Sequence, residues 1–157
     1  MELSHIDREG KAKMVDVSAK ESTLREARAR ASVLLSPKTF ALVREGEMKK
    51  GDVLAVAQVA GIQAAKKAWE LIPLCHPIPL SFVELRLTLN EAESRVEIES
   101  QVRTRAETGV EMEAMVACSV AALTVYDMCK AAERGIRITD VRLVYKSGGK
   151  SGIFQGD

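Results

Sequence analysis

The sequence predicts an α+β fold, an antiparallel four-stranded sheet with helices packed on one face. Three observations carry this. Apolar residues alternate at the strand period in separate runs, among them Ala27–Leu35 and Val83–Leu89. Capped segments with helical character lie between and after those runs. The order that results is strand, helix pair, strand, strand, helix, strand, which is the split β-α-β arrangement of ferredoxin-like domains.

Each element has its own local reason. Residues 1–24 keep no steady period and read as an irregular N-terminal arm, in which Met14–Val17 is short enough to add only an edge strand. Residues 25–157 read as one ferredoxin-like domain, since no linker, repeat or low-complexity stretch divides them. In the first strand Ala27, Ala29, Ala31, Val33 and Leu35 share a face opposite Arg28 and Arg30, although so many alanines leave a helix as the alternative. Ser36-Pro37 is an N-cap with proline in the first helical position, and Gly46 closes that short helix. Asp52 caps a second helix that should continue to about Leu71. Pro73, Pro77 and Pro79 then hold Ile72, His76 and Ile78 extended. Val83–Leu89 and Val96–Val102 form a strand pair around a turn at 90–94. A helix over about 109–134 follows, Gly135 ends it, and a strand over 136–146 completes the order.

Composition narrows the function. With 157 residues and 46% hydrophobic content, a full core is available. A net charge of +1 and 4% aromatic residues give little for nucleic acid or an anionic membrane, and Phe82 is the one aromatic in or bordering the central strands. Three cysteines without C-x-x-C spacing, with only His5 and His76 beside them, support no zinc site and fit a reducing cytoplasm. The polar start MELSHIDREGK does not read as a secretory signal. The longest apolar stretch, interrupted by Ser119 and Thr124, reads as too short to span a bilayer.

Five segments could carry chemistry. The 109–134 helix is apolar from Ala114 to Tyr126, yet carries Glu111 and Glu113 in its first turn and Asp127 and Lys130 near its end. Asp127 and Lys130 are three residues apart and share a face, so an acid and an amine are paired for proton transfer. The equal alternative is that both ends reach solvent and complement the helix dipole. In Ile72–Pro77, flanking prolines hold His76 on a stiff arm, which suits either a substrate contact or a turn with the ring bonded to backbone. Cys75 beside it reads as a packed thiol. Lys49-Lys50-Gly51-Asp52 places amines before a helix N-terminus, where amide donors attract anions. Thr108–Glu113 offers another helix start, with carboxylates able to accept from an amino-pyrimidine edge. Lys146–Gly152 mixes glycines and lysines; composition alone favours a polar tail, and wrapping a polyphosphate is the alternative. The inventory suits a phosphorylated, nitrogen-rich small molecule.

The strings MVDVSAK (14–20), KKGDVLAVAQVAGIQAAKKAWELIPLCHP (49–77), RTRAETGVEMEAM (103–115), AALTVYDMCKA (121–131) and KSGGKSG (146–152) resemble the cyclic pyranopterin monophosphate synthases, the accessory protein C family of molybdenum cofactor biosynthesis. The resemblance runs through nearly the whole chain. It implies a lyase that converts a cyclised dihydro-GTP into cyclic pyranopterin monophosphate and diphosphate. It implies Asp127 as the active-site acid, Lys130 as its partner and Lys50 as a second catalytic amine. Substrate contacts then fall on Leu74, Cys75, His76, Met112 and Glu113, with Glu111 beside them. Lys146 is the first candidate for the triphosphate, with Arg25 and Lys150 behind it. It also implies no required redox cofactor, with magnesium on the triphosphate left open, and a homohexamer built as a trimer of dimers. Transient contact with the radical enzyme that makes the substrate is a further expectation. The reaction moves several protons, for which poised acids and amines are suitable, and burial can lower a lysine pKa into the working range. Two other classes stay open on the residues alone: a ferredoxin-like module that binds a nucleotide without turnover, and an RNA-binding domain.

Overall fold

The computed structural model describes residues 3–157. Five antiparallel strands form one sheet in the order β2 (Phe82–Asn90), β3 (Arg95–Ala106), β1 (Thr23–Leu34), β4 (Arg137–Ser147) and β5 (Phe154–Gln155). Without β5 this is the expected ferredoxin-like sheet. The added strand is two residues long, too short to leave a period in the sequence, and pairs Tyr145 with Gln155 and Lys146 with Phe154. β1 lies inside the sheet, in unbroken register with β3 from Thr23↔Ala106 to Leu34↔Arg95. Its alternation is therefore strand, and the helix alternative falls.

The helices lie on one face. These are α1 (Pro37–Arg44), α2 (Val53–Lys66), α3 (Ala68–Leu71) and α4 (Glu111–Cys129). Both expected caps form, with Ser36 accepting from the Thr39 amide and Asp52 from the Ala55 amide. The helix expected to run unbroken to Leu71 instead breaks at Lys67, whose amide reaches back three residues to the Ala64 carbonyl. That break turns the fully buried Ala68 into a small cluster with Ala64 and Val116.

α4 packs across β1 on small side chains. Ala27, Ala29 and Ala31 of the strand meet Ala114, Ala117, Ala121 and Ala122 of the helix, all essentially inaccessible to water. Gly61 does the same between helices: a Cβ there would stand 2.7 Å from the Leu85 side chain and 3.0 Å from the Ala117 carbonyl. Larger residues, including Leu85, Ile98, Val33 and Val125, fill the remaining core. Each contributes about 1.5–3 kcal/mol by its burial.

Two expectations about α4 change. By length and composition it is apolar enough to cross a membrane, contrary to the sequence reading, but here it is the core helix against the sheet. It also stops at Cys129 rather than near Arg134. Beyond it the chain turns, the Cys129 carbonyl accepting from Ala132 and Glu133, and the Glu133 carboxylate takes the Ser36 amide at 2.8 Å. The end of the helix is thereby drawn back onto the start of α1. The possible edge strand at Met14–Val17 does not form; in the arm, the isolated bridge is Ile6↔Ala12.

Candidate active site

α4 carries a charged cluster at each end. At its C-terminal end Asp127 is clasped by two amines. Lys130 Nζ lies 2.9 Å from Oδ1, and Lys50 Nζ lies 3.0 Å from Oδ2 and 3.2 Å from the Asp127 carbonyl. Lys50 arrives from the loop before α2, where Gly51 at φ +107 makes a turn closed to most side chains. Its side chain thus serves α4, not the start of its own helix.

These groups are half-exposed, and at Lys130 burial does not lower the amine pKa. Hydrogen bonds from Lys130 and then Lys50 hold the Asp127 carboxyl below its ordinary value, and the hydrogen bond to Asp127 raises Lys130. The cluster sets one carboxylate between two amines, and the raised Lys130 is a proton donor that can also stabilise growing negative charge.

At the other end of α4 a cleft of about 390 Å³ opens between the arm and the helix start. Leu74, Cys75 and His76 form one wall, and Thr108, Gly109, Glu111, Met112 and Glu113 form another. Glu113 is only 3% exposed, and its Oε1 is buried without a hydrogen-bond partner. Burial raises its pKa, with the Cys75 thiol, which donates to Oε2 at 3.4 Å, a partial offset. A buried acceptor facing a cleft is set to take an N–H from a ligand. Cys75 is pushed up to about 12, first by burial and then by Glu113, so it stays a thiol and is no nucleophile. Gly109 leaves room for the Glu111 carboxylate, which a Cβ there would meet at 2.4 Å.

The phosphate candidates divide. Lys146 Nζ pairs with Glu111 Oε1 at 2.6 Å, on the edge of this cleft. Arg25 is 8% exposed and bonds inward, its Nε to the Ala106 carbonyl at 3.0 Å and one terminal nitrogen to the Glu107 carbonyl at 3.3 Å. Above it the Gly148-Gly149 turn packs so closely that a Cβ on Gly149 would stand 2.4 Å from the Arg25 guanidinium. Arg25 therefore ties the end of β3 to the glycine turn after β4. Lys150 is exposed on that turn. The turn is ordered by positive φ at Gly148 and Gly149 and by β5 pairing, rather than being a loose tail.

A sequence profile of the MoaC family matches residues 14–149, which hold both clusters. The chain belongs to the MoaC family. A curated relative, the cyclic pyranopterin monophosphate synthase of Heliobacterium modesticaldum (strain ATCC 51547 / Ice1), is 59% identical over 152 residues, 97% of this chain and 96% of its own length.

In this MoaC chain the sequence missed one wall of the cleft. Ser4, His5, Val15, Val17 and Lys20 of the arm line it. Nothing periodic marks those positions; the one available signal is that Met14–Lys20 belongs to a string quoted for the resemblance.

Glu113 gives a stability test. An unfolded glutamate titrates near about 4.3. Burial raises the folded value, so the native state holds its proton to higher pH. Below the unfolded pKa both states are protonated and the penalty is absent; above the folded pKa it is fully present. Glu113→Gln should therefore raise the melting temperature at about pH 8, by about 2–4 °C per kcal/mol recovered, and change it little near pH 4. Substrate affinity should fall at the same time. Calorimetry at the two pH values decides, and a lower melting temperature at the higher pH would contradict the uncompensated burial of the carboxylate.

Proposed function

We propose that this chain is a cyclic pyranopterin monophosphate synthase, converting 3',8-cyclo-7,8-dihydroguanosine 5'-triphosphate to cyclic pyranopterin monophosphate with release of diphosphate. The observation that carries this is 59% identity to a protein of that name over nearly the full length of both chains. The two clusters suit the chemistry. Rebuilding a pterin from the cyclised purine requires several proton transfers, which the Lys50–Asp127–Lys130 cluster can serve. Closing the cyclic phosphate requires a sugar hydroxyl to form a bond to the α-phosphorus while the bond to the bridging oxygen of diphosphate breaks. Charge grows on the leaving group, and neighbouring lysines stabilise it. The unpartnered Glu113 oxygen, with the backbone beside Met112, supports recognition of the amino-pyrimidine edge.

No redox cofactor enters this reading; magnesium, if required, arrives with the triphosphate. The enzyme acts in the cytoplasm, consistent with three free cysteines of which two are buried. It assembles as a homohexamer, a trimer of dimers, and receives its substrate from the radical enzyme that cyclises GTP. Support for assembly comes from the outer face of the helices, where Val56, Val59, Trp69 and Leu123 are exposed.

Incubating the chain with the cyclised triphosphate should release diphosphate in step with the cyclic monophosphate. Binding without release would instead favour the nucleotide-binding module. Lys146→Ala should weaken triphosphate binding, and wild-type affinity should fall as salt screens contacts beyond about 8 Å. Affinity indifferent to both salt and this substitution would remove Lys146 from the phosphate site.

A further inference from the structure

His76 was assigned above to substrate contact by resemblance, yet its ring is already engaged. Its Nε2 lies 2.7 Å from the Val15 carbonyl, in the N-terminal arm. Among the described residues this is the one hydrogen bond joining residues 3–22 to the rest of the chain. Apolar burial does little to replace it, since Leu3, Ile6 and Met14 are exposed.

The arm is also bonded within itself. Asp7 Oδ1 accepts from the Glu9 and Lys11 amides at 2.9 and 2.8 Å, and the Lys13 amide reaches the His5 carbonyl at 2.9 Å. These close a small hairpin. Next to it Asp16 accepts from the Ser18 amide at 2.9 Å, making a second turn. Val15 lies at the joint between the two, so a hold on its carbonyl fixes both halves. On the other side the mount is stiff: Pro73 and Pro77 flank the segment, and the Cys75 amide bonds to the Ile72 carbonyl at 3.1 Å.

We propose that His76 is the latch of the N-terminal arm, a positioning residue whose Nε2–H holds the Val15 carbonyl so that residues 3–22 roof the cleft. The roof supplies Val15, Val17 and Lys20 as a wall opposite Glu113 and keeps water from the bound ring system. Such a latch needs a donor at the Nε2 position and no proton exchange. Both the neutral ring protonated on Nε2 and the imidazolium provide it. The inference rests on the proposed synthase activity only for what lies under the roof; the latch itself has a readout of its own.

The test compares the full-length wild type with His76→Ala and His76→Gln, because a glutamine side-chain amide can donate from nearly the Nε2 position. Trypsin cleavage at Arg8, Lys11, Lys13 and Lys20 measures opening of the arm, and diphosphate release measures kcat and KM. Loss of the latch in His76→Ala should speed cleavage about fivefold, the population change that one hydrogen bond of ordinary net strength sets, and raise KM more than it lowers kcat. His76→Gln should return both towards wild type. Unchanged cleavage in His76→Ala overturns the latch. A protected arm with no turnover in His76→Gln overturns the positioning role and makes the ring a proton carrier. Should the wild type release no diphosphate, the synthase reading fails while the cleavage comparison still decides the latch.

Discussion

Lys130→Ala should lose turnover by roughly 10²–10⁴-fold, the range set by removing one positioned acid or base. The protein should stay folded and assembled, because Lys130 caps the helix from its exposed end and fills no core volume. The hydrogen bond to Asp127 raises its pKa and favours the cation, so the roles open to it are proton donation and charge stabilisation. Lys130→Arg separates these. Arginine keeps the charge but cannot give up a proton, so it should recover triphosphate affinity and little of the turnover. Single-turnover measurement of diphosphate release reads both variants. Normal product formation by Lys130→Ala, at unchanged stability, would remove Lys130 from the mechanism.

The legible parts of this chain are those where local chemistry and tertiary packing agree. The alternation in β1 and β2, the Ser36 and Asp52 caps, and the order of elements all survive because each local choice matches the fold. What escaped was set by contacts distant in sequence. Past Cys129 the chain turns through Ala132 and Glu133, and the Glu133 carboxylate holds that turn to the Ser36 amide, a contact that no local pattern marks. β5 exists because the Gly148-Gly149 turn folds back over Arg25, and no two-residue strand has a period to read. The candidate site divides the same way. Asp127 beside Lys130 follows from helical spacing, whereas Lys50 reaches them across 77 residues of chain. Burial separates the two ends of the helix: Glu113 is the enclosed group, and Asp127 and Lys130 reach solvent. An apolar sequence window cannot tell which of its charged flanks faces the sheet.

At a substrate concentration too low for Glu113→Gln to bind, a mixture of Glu113→Gln and Lys130→Ala should recover activity that neither variant shows alone. The two residues lie fourteen positions apart on one continuous helix, hence about 21 Å along its axis at ~1.5 Å per residue. That is a long reach for one nucleotide lying against a single helix. A two-fold axis near the middle of α4 would set the Glu113 end of one copy beside the Asp127 end of the other. The outward stripe of α4 leaves room for such a neighbour, with Met112 and Leu123 exposed, Ser119 half-buried between them and Asp127 exposed beyond. Lys50 and Lys130, the two expected catalytic amines, are the wrong pair for this experiment, because they clasp the same Asp127 within one chain. A defect at each end of the helix is needed. In a two-fold pair of one copy of each, one site then carries both defects and the other carries neither. Random exchange of equal amounts should therefore return about one quarter of the wild-type activity, a ratio set by the symmetry alone. Mass spectrometry of the exchanged oligomers confirms mixing, and the Lys50→Ala with Lys130→Ala mixture, expected to stay inactive, is the control. If exchange is complete and Glu113→Gln with Lys130→Ala also stays inactive, the site lies within one chain, and a bent pocket under the arm must join the two ends of α4.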